Sequence, residues 1–154
     1  MTKTLSLSIV IPVYNGATTI GPLVDKLLEV LGDKETLQIV LVNDDSPDDN
    51  SRQVCQQLAL HENKDVVTFI DLARNFGEHN AVMAGLHYAR GEYVVIMDDD
   101  FQNPPQEVLK LLQAARENDW DVTYGNYVEK KHSLWRNLGS WFNCKVANIL
   151  LRKP

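Results

Sequence analysis

Tyr93-Val94-Val95-Ile96-Met97-Asp98-Asp99-Asp100 is the stretch that decides how the chain is read. Its apolar, β-branched run from Tyr93 to Met97 reads as a strand. The run then meets three carboxylates in succession, so the carboxyl end of that strand is charged and wet. Three earlier stretches have the same form. Leu5–Val13 runs into Tyr14-Asn15-Gly16, Leu37–Val42 into Asn43-Asp44-Asp45-Ser46-Pro47, and Val66–Ile70 leads to Arg74-Asn75-Phe76-Gly77. Each is a β-rich run closed by turn-forming residues.

Between these strands the periodicity changes to that of a helix. Ile20, Leu23, Val24, Leu27, Leu28 and Leu31 form one stripe, with Thr18 or Thr19 as N-cap, Pro22 in the first turn and Gly32 just past the end. A weaker helix is predicted over Ser51–His61 and another over Glu78–Ala89. Pro104 and Pro105 open a last one that runs to about Asn118, consistent with proline's preference for a first turn. Asp121–Tyr124 is predicted as a short fifth strand. Strands alternating with helices at this spacing predict an α/β fold with a mostly parallel sheet flanked by helices. Residues 1–126 read as one domain and residues 127–154 as a separate segment.

The chain has 154 residues, 44% apolar and 23% charged, which is ordinary for a globular protein and argues against disorder. No apolar run reaches the ~20 residues needed to span a bilayer. Cys55 and Cys144 form neither a disulfide framework nor a metal site, so a reducing compartment is expected. Charge is distributed unevenly. Residues 1–125 carry 9 Lys/Arg against 20 Asp/Glu, whereas residues 126–154 carry 6 basic residues against Glu129. A nucleic-acid binder would be basic over its folded face, so that class is excluded. Within the basic segment, Leu134, Trp135, Leu138, Trp141, Phe142, Val146, Ile149 and Leu150 fall on one broad helical face. A helix over Ser133–Leu151 therefore either lies in a membrane interface or packs as an ordinary core-facing helix.

In open parallel sheets ligands bind outside the carboxyl ends of the strands. The unusual polar residues of this chain collect at those ends. Three adjacent carboxylates repel one another and raise one another's pKa unless a cation is present. A hard divalent ion, Mg²⁺ or Mn²⁺, shared with a substrate diphosphate relieves that repulsion. His61, His79, His87 and His132 share no metal-ligand spacing. No Gly-rich phosphate loop of the Walker or dinucleotide type is present. A phosphoacceptor receiver domain would need an acidic pair after the first strand and a lysine after the fifth. Those ends read Val13-Tyr14-Asn15 and Tyr124-Gly125-Asn126.

These residues resemble family 2 glycosyltransferases of the GT-A fold. Ile11-Pro12-Val13-Tyr14-Asn15 is similar to the opening motif of that family, Val42-Asn43-Asp44-Asp45-Ser46-Pro47-Asp48 to its second-strand motif, and Asp98-Asp99-Asp100 to its Asp-x-Asp motif. Arg74-Asn75-Phe76-Gly77-Glu78-His79, Met83-Ala84-Gly85-Leu86 and Phe101-Gln102-Asn103-Pro104-Pro105 are similar to the polyprenyl-phosphate branch, in which the acceptor is dolichyl or undecaprenyl phosphate. The resemblance runs from about Leu5 to the end of the chain. It implies an inverting, metal-dependent transfer of a sugar from a UDP- or GDP-linked donor to a polyprenyl phosphate. It also implies a place on the cytoplasmic face of a membrane, approached through residues 133–151.

By the same resemblance, Pro12 and Tyr14 would line the base pocket and Asp44 would accept a hydrogen bond from the base. Arg74 would lie near the diphosphate, Asp98 near the ribose and metal, and Asp99 beside the nucleotide. Asp98, Asp100 and Gln102 would ligate Mg²⁺ or Mn²⁺. The sequence departs from the pattern where Gly16 replaces Glu, Asn43 replaces Asp, Asp45 replaces Gly and Gln106 replaces Glu. In the family the acceptor-site acidic residue follows the point at which this chain stops, so the catalytic residue is expected beyond it and the isolated piece is expected to be inactive. A homo-oligomer formed through such further segments stays open. So do a non-catalytic nucleotide-sugar-binding module and a transferase with a saccharide hydroxyl acceptor.

Overall fold

A computed structural model describes residues 6–47, 50–62 and 65–125. The expected segment over residues 127–154, with its helix at Ser133–Leu151, lies outside the described residues. Four strands, β1 (Leu7–Val13), β2 (Leu37–Asn43), β3 (Val67–Asp71) and β4 (Tyr93–Ile96), alternate with α1 (Ile20–Leu31), α2 (Ser51–Gln57), α3 (Glu78–Tyr88) and α4 (Pro105–Asn118). All strand pairs are parallel, in the order β3-β2-β1-β4. The chain steps outward from β1 to β3, then returns across the sheet to lay β4 on the other side of β1.

Strand β1 has neighbours on both edges and cover on both faces. Leu7, Ile9, Ile11 and Val13 turn to one face and pack with Leu37, Ile39 and Leu41 of β2 against the buried stripe of α1, with Cys55, Val108 and Leu112 completing that core. Val10, Val40 and Val42 turn to the other face and meet Ala81 of α3. The second layer is thin because α3 lies very close to the sheet. A Cβ on Gly85 would stand 2.4 Å from Val10 Cγ1 and 3.1 Å from Val42 Cγ2, so only glycine fits there. Helix α3 reaches over β1 and β2 but leaves Val94 and Ile96 of β4 exposed, although Ile96 is in register with Val10.

The predicted elements form with three differences. The predicted helix over Ser51–His61 is α-helical only to Gln57 and continues as a wider π-helical turn over Leu58–Glu62. Asp121–Tyr124 is not a strand: Val122 is 63% and Tyr124 88% exposed, and no described strand pairs with them. β-propensity needs a neighbouring strand to satisfy the backbone, and none of the described strands lies beside this stretch. At the start of α1 the Thr19 hydroxyl does not accept from the helix. It donates to the Gly16 carbonyl at 3.1 Å, which also receives the Thr19 and Ile20 amides.

The polar fastening sits at the amino end of the sheet. Ser8 Oγ donates to Gln38 Oε1 at 2.7 Å and accepts the Arg90 and Gly91 amides, while Gln38 Nε2 donates to the Tyr88 carbonyl. Both side chains are buried, and the network satisfies backbone that the α3–β4 turn would otherwise leave unpaired. Across the other layer, Arg116 of α4 holds Glu35 with two bonds of 2.7 and 3.0 Å, and Ser6 Oγ donates to the same carboxylate at 2.6 Å. The Arg116 hydrogen bond holds the Glu35 carboxyl below its usual range against an opposing effect of burial.

A carboxyl lowered in the folded state stabilises fully above its unfolded pKa of about 4.3 and loses that contribution as pH falls through the folded value. Arg116→Met should therefore lower stability at pH 7 by about 1 kcal/mol, a modest figure because the guanidinium is partly solvated. The gap between the urea unfolding midpoints of the variant and the parent should narrow as pH falls from 7 below about 4.3. A gap that keeps its size over that range would show that the ion pair contributes nothing.

Candidate functional site

The reversal of strand order puts a crevice between the carboxyl ends of β1 and β4. The loops leaving the strands there are unusually shaped. Asn15 after β1, Asp45 after β2 and Phe101 after β4 all have left-handed backbones, with φ of 55°, 52° and 59°. Asn and Asp enter this region readily, whereas a bulky residue such as Phe101 stays there only where its surroundings impose it.

A chain of polar contacts ties the loops after β1 and β2 to the end of β3. The Asn15 amide donates to Ser46 Oγ at 3.1 Å, and Ser46 Oγ donates to Asn43 Oδ1 at 2.6 Å. Asn43 Nδ2 in turn donates to Asp71 Oδ1 at 2.8 Å, and Asp71 pairs with Arg52 at 2.6 Å. Asn43 is buried, and it works here because an amide offers both a donor and an acceptor. A carboxylate in its place would face that of Asp71.

Asp44 does the same for the β3–α3 loop. Its side chain is buried, Oδ1 accepts the Phe76 amide at 2.7 Å and Oδ2 the Gly77 amide at 2.9 Å. Gly77, with φ of 88°, precedes the first turn of α3, so the loop enters the helix through a backbone that only glycine takes easily.

The resulting groove encloses about 400 Å³. Pro12, Val13 and Tyr14 form its apolar side, with Tyr14 half exposed. Asp44, Glu78, Asp98, Asp99 and Asp100 line the remainder with Asn75 and Gly77. Five carboxylates thus meet in one groove whose described lining has no basic side chain. Burial pushes the Asp98 carboxyl above its usual range, and the charges of Asp100 and Glu78 push it the same way. Among the described residues no three His, Cys, Asp or Glu side chains converge closely enough to hold a metal ion by themselves.

Residues 8–151 match the family described as glycosyl transferase family 2. The chain belongs to that family. It is 32% identical over 151 residues to an undecaprenyl-phosphate 4-deoxy-4-formamido-L-arabinose transferase of Proteus mirabilis, which covers 98% of this chain and 44% of the relative. The chain therefore spans less than half the length of that curated relative. A mannosyltransferase of Pyrobaculum calidifontis, solved with GDP-Man and Mn²⁺, superposes with a TM-score of 0.59 at 26% identity, over 70% of this chain and 31% of that one. Residues 1–349 of S. aureus TarS, solved with UDP-GlcNAc, superpose with a TM-score of 0.63 at 26% identity, over 82% and 37% respectively.

In this family 2 glycosyltransferase chain, the groove gathers Pro12, Tyr14, Asp44, Asp98, Asp99 and Asp100 of the residues singled out from the sequence. Arg74 and Gln102 do not line it. Arg74 is exposed, its guanidinium 4.7 Å from the centre of the Phe76 ring, and the Gln102 amide donates to Asp100 Oδ1 in a tight turn. Asp44 stands at the groove, but both of its oxygens already hold loop amides. Glu78 and Asn75 also line the wall. The sequence offered one signal for Glu78, an acidic residue in the first turn of a predicted helix, whose usual partner is the helix terminus itself.

Asp44→Asn keeps the shape of the side chain but sets an amide donor against a backbone donor. It should cost about 1–3 kcal/mol in unfolding free energy. Hydrogen exchange at the Phe76 and Gly77 amides should accelerate more than at the β1 amides. Equal acceleration along both segments would mean that the clamp is not local to the loop.

Proposed function

We propose that this chain forms the donor side of a metal-dependent, inverting glycosyltransferase that passes a sugar from a UDP- or GDP-linked donor to a polyprenyl phosphate. The observation that carries the reading is the groove itself, lined by five acidic residues and an apolar wall with no basic side chain among the described lining residues. A diphosphate placed there would be repelled, so the groove suits such a ligand only together with a cation. The donor set is hard oxygen throughout. It fits Mg²⁺ or Mn²⁺, which are commonly bound through one or two carboxylates and complete their coordination with substrate phosphates and water. Asp98 and Asp100 would hold the ion, with Gln102 carried on the turn that follows Asp100. When bound, the ion would neutralise charge on the departing diphosphate.

The remaining work falls to the protein. Pro12 and Tyr14 would pack against the base, and Asp44 would keep the loop carrying Arg74 and Asn75 at the rim. Transfer would be a direct displacement, in which an oxygen of the acceptor phosphate attacks the anomeric carbon as the bond to the diphosphate breaks. That oxygen is anionic near neutral pH, so it needs less help from a general base than a sugar hydroxyl would. The polyprenyl acceptor is supported by the relative from Proteus mirabilis, named for undecaprenyl phosphate, and the cation by the mannosyltransferase solved with Mn²⁺. The six basic residues of 126–154, with Trp135, Trp141 and Phe142 among them, support an approach to a membrane surface, where each basic residue contributes ~1 kcal/mol.

Calorimetric titration of UDP and GDP with and without Mn²⁺ tests the donor site. One nucleotide should gain at least about tenfold in affinity with the ion, a change of roughly 1.4 kcal/mol. Asp100→Ala should abolish that gain. Binding that ignores Mn²⁺ and survives the substitution would overturn the reading.

A further inference from the structure

The three successive aspartates do not share one environment. Asp98 and Asp100 are exposed, whereas Oδ2 of Asp99 is sealed from solvent. The place it occupies is the side-chain space of another residue. A Cβ built on Gly16 would stand 1.9 Å from Asp99 Oδ2, 3.0 Å from Asp99 Cγ and 3.3 Å from Thr19 Oγ1. These distances lie far inside van der Waals contact, so the Asp99 carboxylate and any side chain at position 16 exclude one another. Gly16 itself has little freedom to retreat. It is buried, and its carbonyl receives the Thr19 amide at 3.1 Å, the Ile20 amide at 3.0 Å and the Thr19 hydroxyl at 3.1 Å. Its φ does not lie in the left-handed region, so the need for glycine here is one of space and not of backbone conformation.

We infer that Asp99 is a positioning residue. Its carboxylate is keyed into the void left by Gly16 and locks the β4–α4 loop, which carries Asp98 and Asp100, to the β1–α1 loop, which carries Tyr14. The key divides the carboxylates by task. Asp99 is turned into the β1–α1 loop and joins the two walls of the groove, leaving Asp98 and Asp100 for a cation. It also couples the apolar wall to the acidic one, so that the spacing between a base on Tyr14 and a diphosphate near Asp98 is set by one contact across the switch point. The functional part of this inference rests on the donor-site reading above. The mutual exclusion of Gly16 and Asp99 does not.

The test is a double-mutant cycle over Gly16→Ala, Asp99→Ala and the pair, with two measurements on each protein. In the first, Mn²⁺-dependent UDP or GDP affinity should fall roughly fivefold or more in Gly16→Ala, where the new methyl expels the carboxylate, and less in Asp99→Ala. The double variant should bind like Asp99→Ala, so removing the carboxylate rescues the glycine substitution. A merely structural glycine would not be rescued this way. In the second, urea unfolding midpoints without ligand should show the same pattern, with Gly16→Ala lowering the midpoint only when Asp99 is present. If Gly16→Ala is equally harmful or equally harmless in both backgrounds by unfolding, the key does not exist. If the unfolding cycle shows coupling but affinity shows none, the key exists without positioning anything, and the inference fails in its functional part. If none of the four proteins, the parent included, binds nucleotide, the donor-site reading falls and the inferred positioning role falls with it, while the unfolding cycle still decides whether the two residues interlock.

Discussion

Strand β1 can be neither exposed nor moved, and the rest of the molecule follows from that constraint. Its apolar residues point alternately to two layers, and each edge carries a parallel neighbour, so four surfaces have to be supplied by four different parts of the chain. Supplying both edges requires the chain to reverse its direction of travel across the sheet after β3. That reversal opens the crevice at the carboxyl ends of β1 and β4, where loops diverge and leave a gap. Tyr14 and the aspartates after Met97 face each other because their strands pair in register from Leu7 with Tyr93 to Val10 with Ile96.

The loops around that crevice are held by side chains bonded to backbone or to one another. Asn43, Asp44 and Ser46 hold backbone or one another across strand ends, and Asp71 is held by Asn43 and Arg52. Under the proposed donor-binding reading, loops whose shape is set beforehand leave little ordering for the moment of binding. The left-handed backbone at Phe101, a bulky residue, shows that the loop after β4 is held in its shape by its surroundings.

How much of this could be read from the sequence depends on the range of the interaction responsible. Strands β1 and β2 and helix α1 were legible because burial is recorded in local apolar patterns, whereas β4 was legible from its β-branched run although one face of it is exposed. The groove was legible because polar residues at successive strand ends must gather at one edge of a parallel sheet. Residue roles were less so. Asp44 reads as a ligand contact, yet its oxygens face the Phe76 and Gly77 amides, an arrangement produced by how α3 approaches the sheet. Asp121–Tyr124 has strand-forming residues, but whether they pair depends on a neighbour and not on propensity. The start of α3 at Glu78 was legible, but its place beside the aspartates after β4 depends on how the chain crosses back over the sheet.

The buried network around Ser8 carries a consequence for the order of events during folding. Gly91 donates to a hydroxyl 83 residues earlier in the chain, and β1 acquires its second edge only when β4 arrives. A nascent chain emerging from its N-terminus would therefore assemble β1, α1, β2 and β3 with one flank of the central strand still unpaired. Contacts of this range close late and slowly, and the waiting edge is a template for other strands. Once Tyr93 and its neighbours have emerged, Ser8 and Gln38 receive the Arg90 and Gly91 amides, and the half-built sheet gains the strand that completes its groove.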